Sequence, residues 1–220
     1  MMCRIARNFF LFAFLFFIPL AAQNNIRIET FRGTETAPYI QDIVKLCNAI
    51  YREPPYLYNG DDEEYTAYIE SLSQANDVVI CLVFDGEKAV GLSIGRPLIQ
   101  TRGPYKETLV EHGYDLNQFF YLGEFGLLSG YRDCRIEEAM YLEIEKAAFV
   151  DGAFDMICVW DIVDPNQFSS DTCFVEDYFW KKLGFVQHPE LNFQIVWINI
   201  GDTQESSHLA VYSIKELKPN

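Results

Sequence analysis

Positive charge is scarce in this chain: 17 Lys and Arg stand against 32 Asp and Glu, a formal net charge of −15. Phosphate backbones and anionic lipid are bound by clustered Lys and Arg, so a field of this sign repels both. Nucleic acid and anionic membrane surfaces are set aside as partners. Histidine is rarer still, with three residues, and none lies at metal-ligand spacing. The six cysteines form no CxxC pair, and the two absences together argue against a zinc site. Repeats, low-complexity tracts and Pro/Gly/Ser-rich linkers are missing too, so the body of the chain reads as one unit.

Long apolar runs are also lacking. The most extended one, Phe9 to Ala22, has 14 uncharged residues rich in Phe and Leu, short of the roughly 20 that a helix needs to cross a bilayer. It follows Met1 to Asn8, which carries Arg4 and Arg7. A basic start, a short apolar stretch and small residues at Ala21-Ala22 are the layout of a secretory signal peptide, although Leu20 is bulkier than usual. The expectation is a signal over residues 1–22, cleaved after Ala22, and a single domain over 23–220. The protein would then be exported, periplasmic or secreted; a buried N-terminal helix or an earlier-than-true start codon would leave it cytoplasmic. Without Arg4 and Arg7, 15 basic residues face 32 acidic ones, a formal charge of −17. An anionic cofactor would need local positive charge or backbone N–H groups to overcome that field. Cys81 and Cys158 fall in apolar runs, which fits small buried hydrophobes better than a disulfide framework.

Periodicity is what the chain does have. Ile26 to Thr30 alternates as a short strand does. Ile40, Ile43, Val44, Leu46, Cys47 and Ile50 recur at helical spacing in a segment starting at Thr34 and ending at Arg52-Glu53-Pro54-Pro55. A second helix is predicted from Asp62 to Ser73. Val78 to Phe84 and Ala89 to Gly95 flank Asp85-Gly86 and read as a hairpin. Then come a strand at Phe119 to Leu128, a helix at Ile136 to Phe149, and an apolar strand at Met156 to Val163. A short helix at Glu176 to Leu183 and strands at Phe193 to Ile200 and His208 to Ile214 follow. This order predicts an α/β fold with a mixed central sheet of about six to seven strands, helices on both faces and a βαβ unit at the centre.

The segment Gly126-Leu127-Leu128-Ser129-Gly130-Tyr131-Arg132-Asp133-Cys134-Arg135-Ile136-Glu137 lies between the first strand of that βαβ unit and its helix. Such a junction offers an anion unpaired N–H groups and the positive end of a helix dipole. Further on stands Phe179-Trp180-Lys181-Lys182-Leu183-Gly184-Phe185. Earlier, Tyr51-Arg52-Glu53-Pro54-Pro55-Tyr56-Leu57-Tyr58 forms an aromatic, Pro-containing loop between the first two helices. In this order, over the span Ile26 to Leu217, these segments resemble the GNAT superfamily of acyl-CoA-dependent N-acetyltransferases.

The resemblance implies that Gly126, Leu127, Leu128, Tyr131, Arg132, Asp133, Cys134, Arg135, Ile136 and Glu137 border the pyrophosphate of acetyl-CoA or another acyl-CoA. The superfamily's pattern there is Arg or Gln, two residues, Gly, one residue, then Gly or Ala. Arg132 matches, but Arg135 and Glu137 stand where small residues belong. A side chain there takes the space through which backbone approaches phosphate. Glu137 also brings negative charge toward an anion, and Arg135 supplies a compensating positive one. In the later motif the second aromatic is often a Tyr that protonates the departing thiolate. Trp180 cannot do so and reads as core packing. Tyr178 is the nearest hydroxyl and is kept as a catalytic candidate, although a helix turns it to a different side from residue 180.

Glu124 is the candidate general base. An acidic residue within Tyr121 to Leu128, an apolar run, costs free energy unless something uses or pairs it; a structural pairing with Arg96 or Arg132 is the alternative. Asp161, late in a central strand, either faces the acceptor or marks the strand's end. Two functions follow. One is transfer of an acetyl or other acyl group to an amine by direct attack, the acceptor being a small molecule rather than a protein tail. The other is an exported binding or interaction protein with a GNAT-like fold and no chemistry, which the lost loop glycines, Trp180 and the export segment favour.

Overall fold

The computed structural model describes residues 25–101, 103–132, 134–150, 154–163 and 176–217. The expected signal segment lies outside them. Among the described residues seven strands form one mixed sheet: β1 (Ile26–Arg32), β2 (Val79–Asp85), β3 (Lys88–Pro97), β4 (Phe119–Leu127), β5 (Met156–Ile162), β6 (Val186–Ile198) and β7 (Glu205–Glu216). Their spatial order is β1-β2-β3-β4-β5-β7-β6. Five α-helices accompany them among the described residues: α1 (Ile40–Tyr51), α2 (Asp62–Leu72), α3 (Tyr105–Glu111), α4 (Cys134–Val150) and α5 (Glu176–Lys182).

Strand β2 is buried almost throughout, because helices cover both faces of the sheet. Its Val79, Cys81 and Val83 join α4 and α5 residues in one core, while Ile80, Leu82 and Phe84 join α1 and α2 in another. Helix α1 buries Ile43, Val44, Leu46, Cys47 and Ile50, the stripe its spacing predicts. Helix α2 is started by Asp61, whose carboxylate accepts from Glu63 N at 2.7 Å and Glu64 N at 3.0 Å, relieving two amides that have no intrahelical partner.

Four elements differ from expectation. Residues Gly33–Tyr39 form 3-10 turns, and α1 proper starts at Ile40. Helix α3 was not signalled by the sequence: its seven residues are too few for a helical period to stand out. Strands β6 and β7 are longer than predicted, with 13 and 12 residues. Pro189 and the register shift between His188 and Asn192 interrupt β6 just where alternation would have revealed it.

Two irregularities position the site. Strands β4 and β5 are parallel neighbours, yet they pair only at Phe119↔Met156, Phe120↔Ile157 and Tyr121↔Cys158. Beyond that point β4 stays with β3 as far as Leu127, and β5 stays with β7 as far as Ile162. The two strands therefore part and leave a wedge. Alongside, the β3–β4 register shifts: Ile94 faces Glu124, but Gly95 faces Leu122, which leaves Gly123 as an extra residue. Such a bulge re-aims the side chains that follow it. Leu122 packs in the α4 core, and strict alternation would send Glu124 the same way. The bulge turns it to the α1–α2 face instead.

Candidate active site

On that face Glu124 meets a group of tyrosines. The Tyr68 hydroxyl donates to Glu124 Oε1 at 2.5 Å. Its other oxygen, Oε2, is buried and has no hydrogen-bond partner among the described residues. Tyr51, the last residue of α1, reaches the edge of β4 where β5 has departed, and its hydroxyl accepts from Phe125 N at 3.2 Å. Neither pairing anticipated for Glu124 is formed as an ion pair. Arg132 binds Glu53, and Arg96 lies with its guanidinium 5.3 Å from the Tyr68 ring centre and 5.8 Å from that of Tyr121.

Electrostatics tie these groups together. Burial, and then the Glu124 charge, push the hydroxyl pKa of Tyr51 and Tyr68 well up, which keeps both protonated. The Cys47 thiol is raised by the same two causes. Burial by itself would lower the pKa of Arg96, but Glu124 and then Tyr68, Tyr121 and Tyr105 outweigh it and raise it.

A roof closes over this face. The loop between α1 and α2 is pinned to the β6–β7 turn by a bridge between Tyr58 and Asn199. Asn59 N donates to Ile198 O at 3.0 Å, and Ile200 N to Leu57 O at 2.7 Å. Trp197 Nε1 donates to Tyr56 O at 3.0 Å. Aromatic contacts run inward from it, with Tyr58 against Tyr65 at 5.9 Å and Tyr56 against Tyr51 at 5.0 Å. The sequence marks an aromatic loop here and names Arg96 as a partner for Glu124, whereas the roles of Tyr68 and Trp197, which come from distant segments, carry no signal in it.

The β4–α4 junction is tightly self-bonded. Leu128 N donates to Val90 O at 2.9 Å, Tyr131 N to Leu128 O at 2.8 Å and Arg132 N to Ser129 O at 3.4 Å. The Tyr131 hydroxyl donates to Asp85 Oδ2 at 2.9 Å. Leu127 is a core residue, and Gly126 admits α1, since a Cβ there would stand 2.7 Å from Ile50 Cγ2. In the first turn of α4, Arg135 is exposed and Ile136 packs on the core, while Glu137 is 1% exposed. Asp133 lies outside the described residues, as do the side chains of Cys134 and Tyr178. Trp180 is 4% exposed within a core of Phe125, Phe179, Tyr141 and Phe185, as expected of a packing residue. Asp161, on β5, is buried.

No family model matches the chain, and no curated protein is similar to it in sequence. Solved structures share its fold. NAA60 of Arabidopsis thaliana, crystallised with acetyl-CoA, superposes with a TM-score of 0.56 at 12% identity, over 87% of this chain and 98% of that one. An acetyltransferase from Streptococcus agalactiae gives 0.56 at 15% identity, over 89% and 99%. The ribosomal-protein-S18-alanine N-acetyltransferase of Escherichia coli gives 0.54 at 8%, over 89% and 96%. The chain therefore has the GNAT acetyltransferase fold, and the mixed sheet with helices on both faces is confirmed.

Beyond Tyr121, β4 gains no further backbone pairing from β5, and the slender arm of an acyl thioester would lie in the wedge this leaves. Phe125, Phe179 and Trp180 would border that arm, and the first turn of α4 with Arg135 would hold the phosphates. Glu137 narrows the fit at the phosphate end, because a buried carboxylate there competes with a bound anion.

Proposed function

We propose that the protein is an N-acyltransferase that takes an acyl group from acetyl-CoA or another acyl-CoA and places it on a small amine, with Glu124 as the base. One observation carries this reading: Glu124 is turned by a bulge onto the roofed face beside the wedge, with Oε1 held by Tyr68 and Oε2 buried without a hydrogen-bond partner among the described residues. Bound acyl-CoA would supply a thioester carbonyl and a thiolate leaving group. An ammonium cannot attack a carbonyl, so Glu124 Oε2 accepts its proton, directly or through one water. Tyr68 fixes the carboxylate. The α1–α2 loop is bonded to the β6–β7 turn through Leu57–Ile200 and Asn59–Ile198, which favours a small acceptor.

Thiol release from acetyl-CoA in the presence of an amine panel tests the proposal. Glu124→Gln is expected to lower kcat by about 10²- to 10⁴-fold, the usual worth of a positioned base, with unchanged melting. An unaffected kcat would remove Glu124 from the mechanism. A second reading, an exported binding or interaction module that has lost the chemistry and the acyl-CoA site, is favoured by the buried Glu137 and by Trp180 in place of an acid. Calorimetry separates the two: acetyl-CoA binding by the native chain supports transfer. Binding that emerges only in Glu137→Gly supports the second reading. For location, we propose export directed by residues 1–22, and a mature protein that starts at Gln23 on N-terminal sequencing would bear this out.

A further inference from the structure

We propose that the acceptor is a zwitterion, an amino acid whose carboxylate sits on Arg96 while its amine faces Glu124. The inference rests on the acyl-acceptor reading of this face and narrows its substrate class. Arg96 projects from β3 between the rings of Tyr68 and Tyr121. It makes no hydrogen bond and no ion pair with any described residue, and its Nε is buried. Leaving buried donors unmet costs free energy, the more so for a charged group. The guanidinium fork matches a carboxylate with two parallel bonds.

Glu124 presents the complementary need. Its Oε2 is buried without a partner among the described residues, and it is not within ion-pair distance of Arg96, although the two charges influence each other. A molecule with opposite charges at its two ends satisfies both at once. A simple cationic amine would answer only Glu124 and be repelled by Arg96. A simple anion would be repelled by Glu124 and by the net charge of −15. Both residues keep partial exposure.

The experiment is calorimetry on the full chain, without acyl-CoA, using pairs of an L-amino acid and its decarboxylated amine. At least one amino acid should bind about 10-fold or more tightly than its amine, in keeping with one bidentate charged contact. Arg96→Gln should erase that difference, and Arg96→Lys should retain part of it. Amines that bind as well as their amino acids, or no binding by either class at millimolar concentration, would overturn the proposal. The comparison on the native chain stands even if the Arg96 variants fold poorly. Since no acyl donor is present, a failure of acyl transfer leaves this result intact. Conversely, transfer to a simple amine would survive the loss of this inference.

Discussion

Trp180 and Glu124 illustrate how burial assigns different tasks to residues that both lie beside the wedge. Trp180 is enclosed by four aromatic rings, with Phe125 and Phe185 each at 5.2 Å between centroids. Its indole packs the core. Trp180→Ala should cost about 3–5 kcal/mol, the range for removing a large buried aromatic, measured by urea unfolding; a loss near zero would place the ring outside the core. The Arg132–Glu53 pair is different, because its side chains are 27% and 35% exposed. Solvent screening limits such a pair to about 0–1 kcal/mol. Its importance is positional: it occupies the arginine that the resemblance assigned to phosphate.

At the scale of elements, the roof and the wedge divide the work. The roof is held by backbone bonds and by one indole, and Trp197 also stacks on His208 at 3.8 Å with an interplanar angle of 8°. Trp197→Ala removes the bond to Tyr56 O and the aromatic contacts to Tyr56 and Tyr58. Steady-state kinetics should show KM for the amine raised by about 10-fold or more, in line with loss of a positioning contact, with a smaller change in kcat. An unchanged KM would mean that the roof does not touch the acceptor. The wedge depends instead on topology, since β5 follows β7 rather than β4 beyond Cys158.

For the whole molecule, the buried tyrosines set a limit at high pH. Burial first, with neighbouring charges after it, holds Tyr51, Tyr68 and Tyr121 well above the ordinary 10.0. The unfolded chain releases these protons near 10.0, whereas the folded chain retains them. The sign follows: this contribution to stability is complete below that value and is lost as pH climbs through the folded values. Circular dichroism and tyrosinate absorbance should therefore change together in one alkaline transition. Tyrosinate absorbance that rises fully while the fold persists would contradict the burial. Cys47, Cys81 and Cys158 are free buried thiols, with Cys81 pushed up to about 12 chiefly by burial, as its place in an apolar run had suggested.

The sequence by itself determined the layers. The stripe in α1, the hairpin around Asp85-Gly86, the βαβ unit and the order of motifs were all legible, because period and turn residues are local properties. It also marked Glu124 as an acid in an apolar strand and, through the resemblance, Arg135 and Glu137 as departures from the pattern expected there. Only the tertiary structure decided what Glu124 faces. That depends on the bulge at Gly123, which reverses the alternation from Leu122 onward and is invisible to a pattern of period two. Tyr68, Arg96 and Trp197 became neighbours of the site for a similar reason: contacts between distant segments leave no periodic trace in the chain.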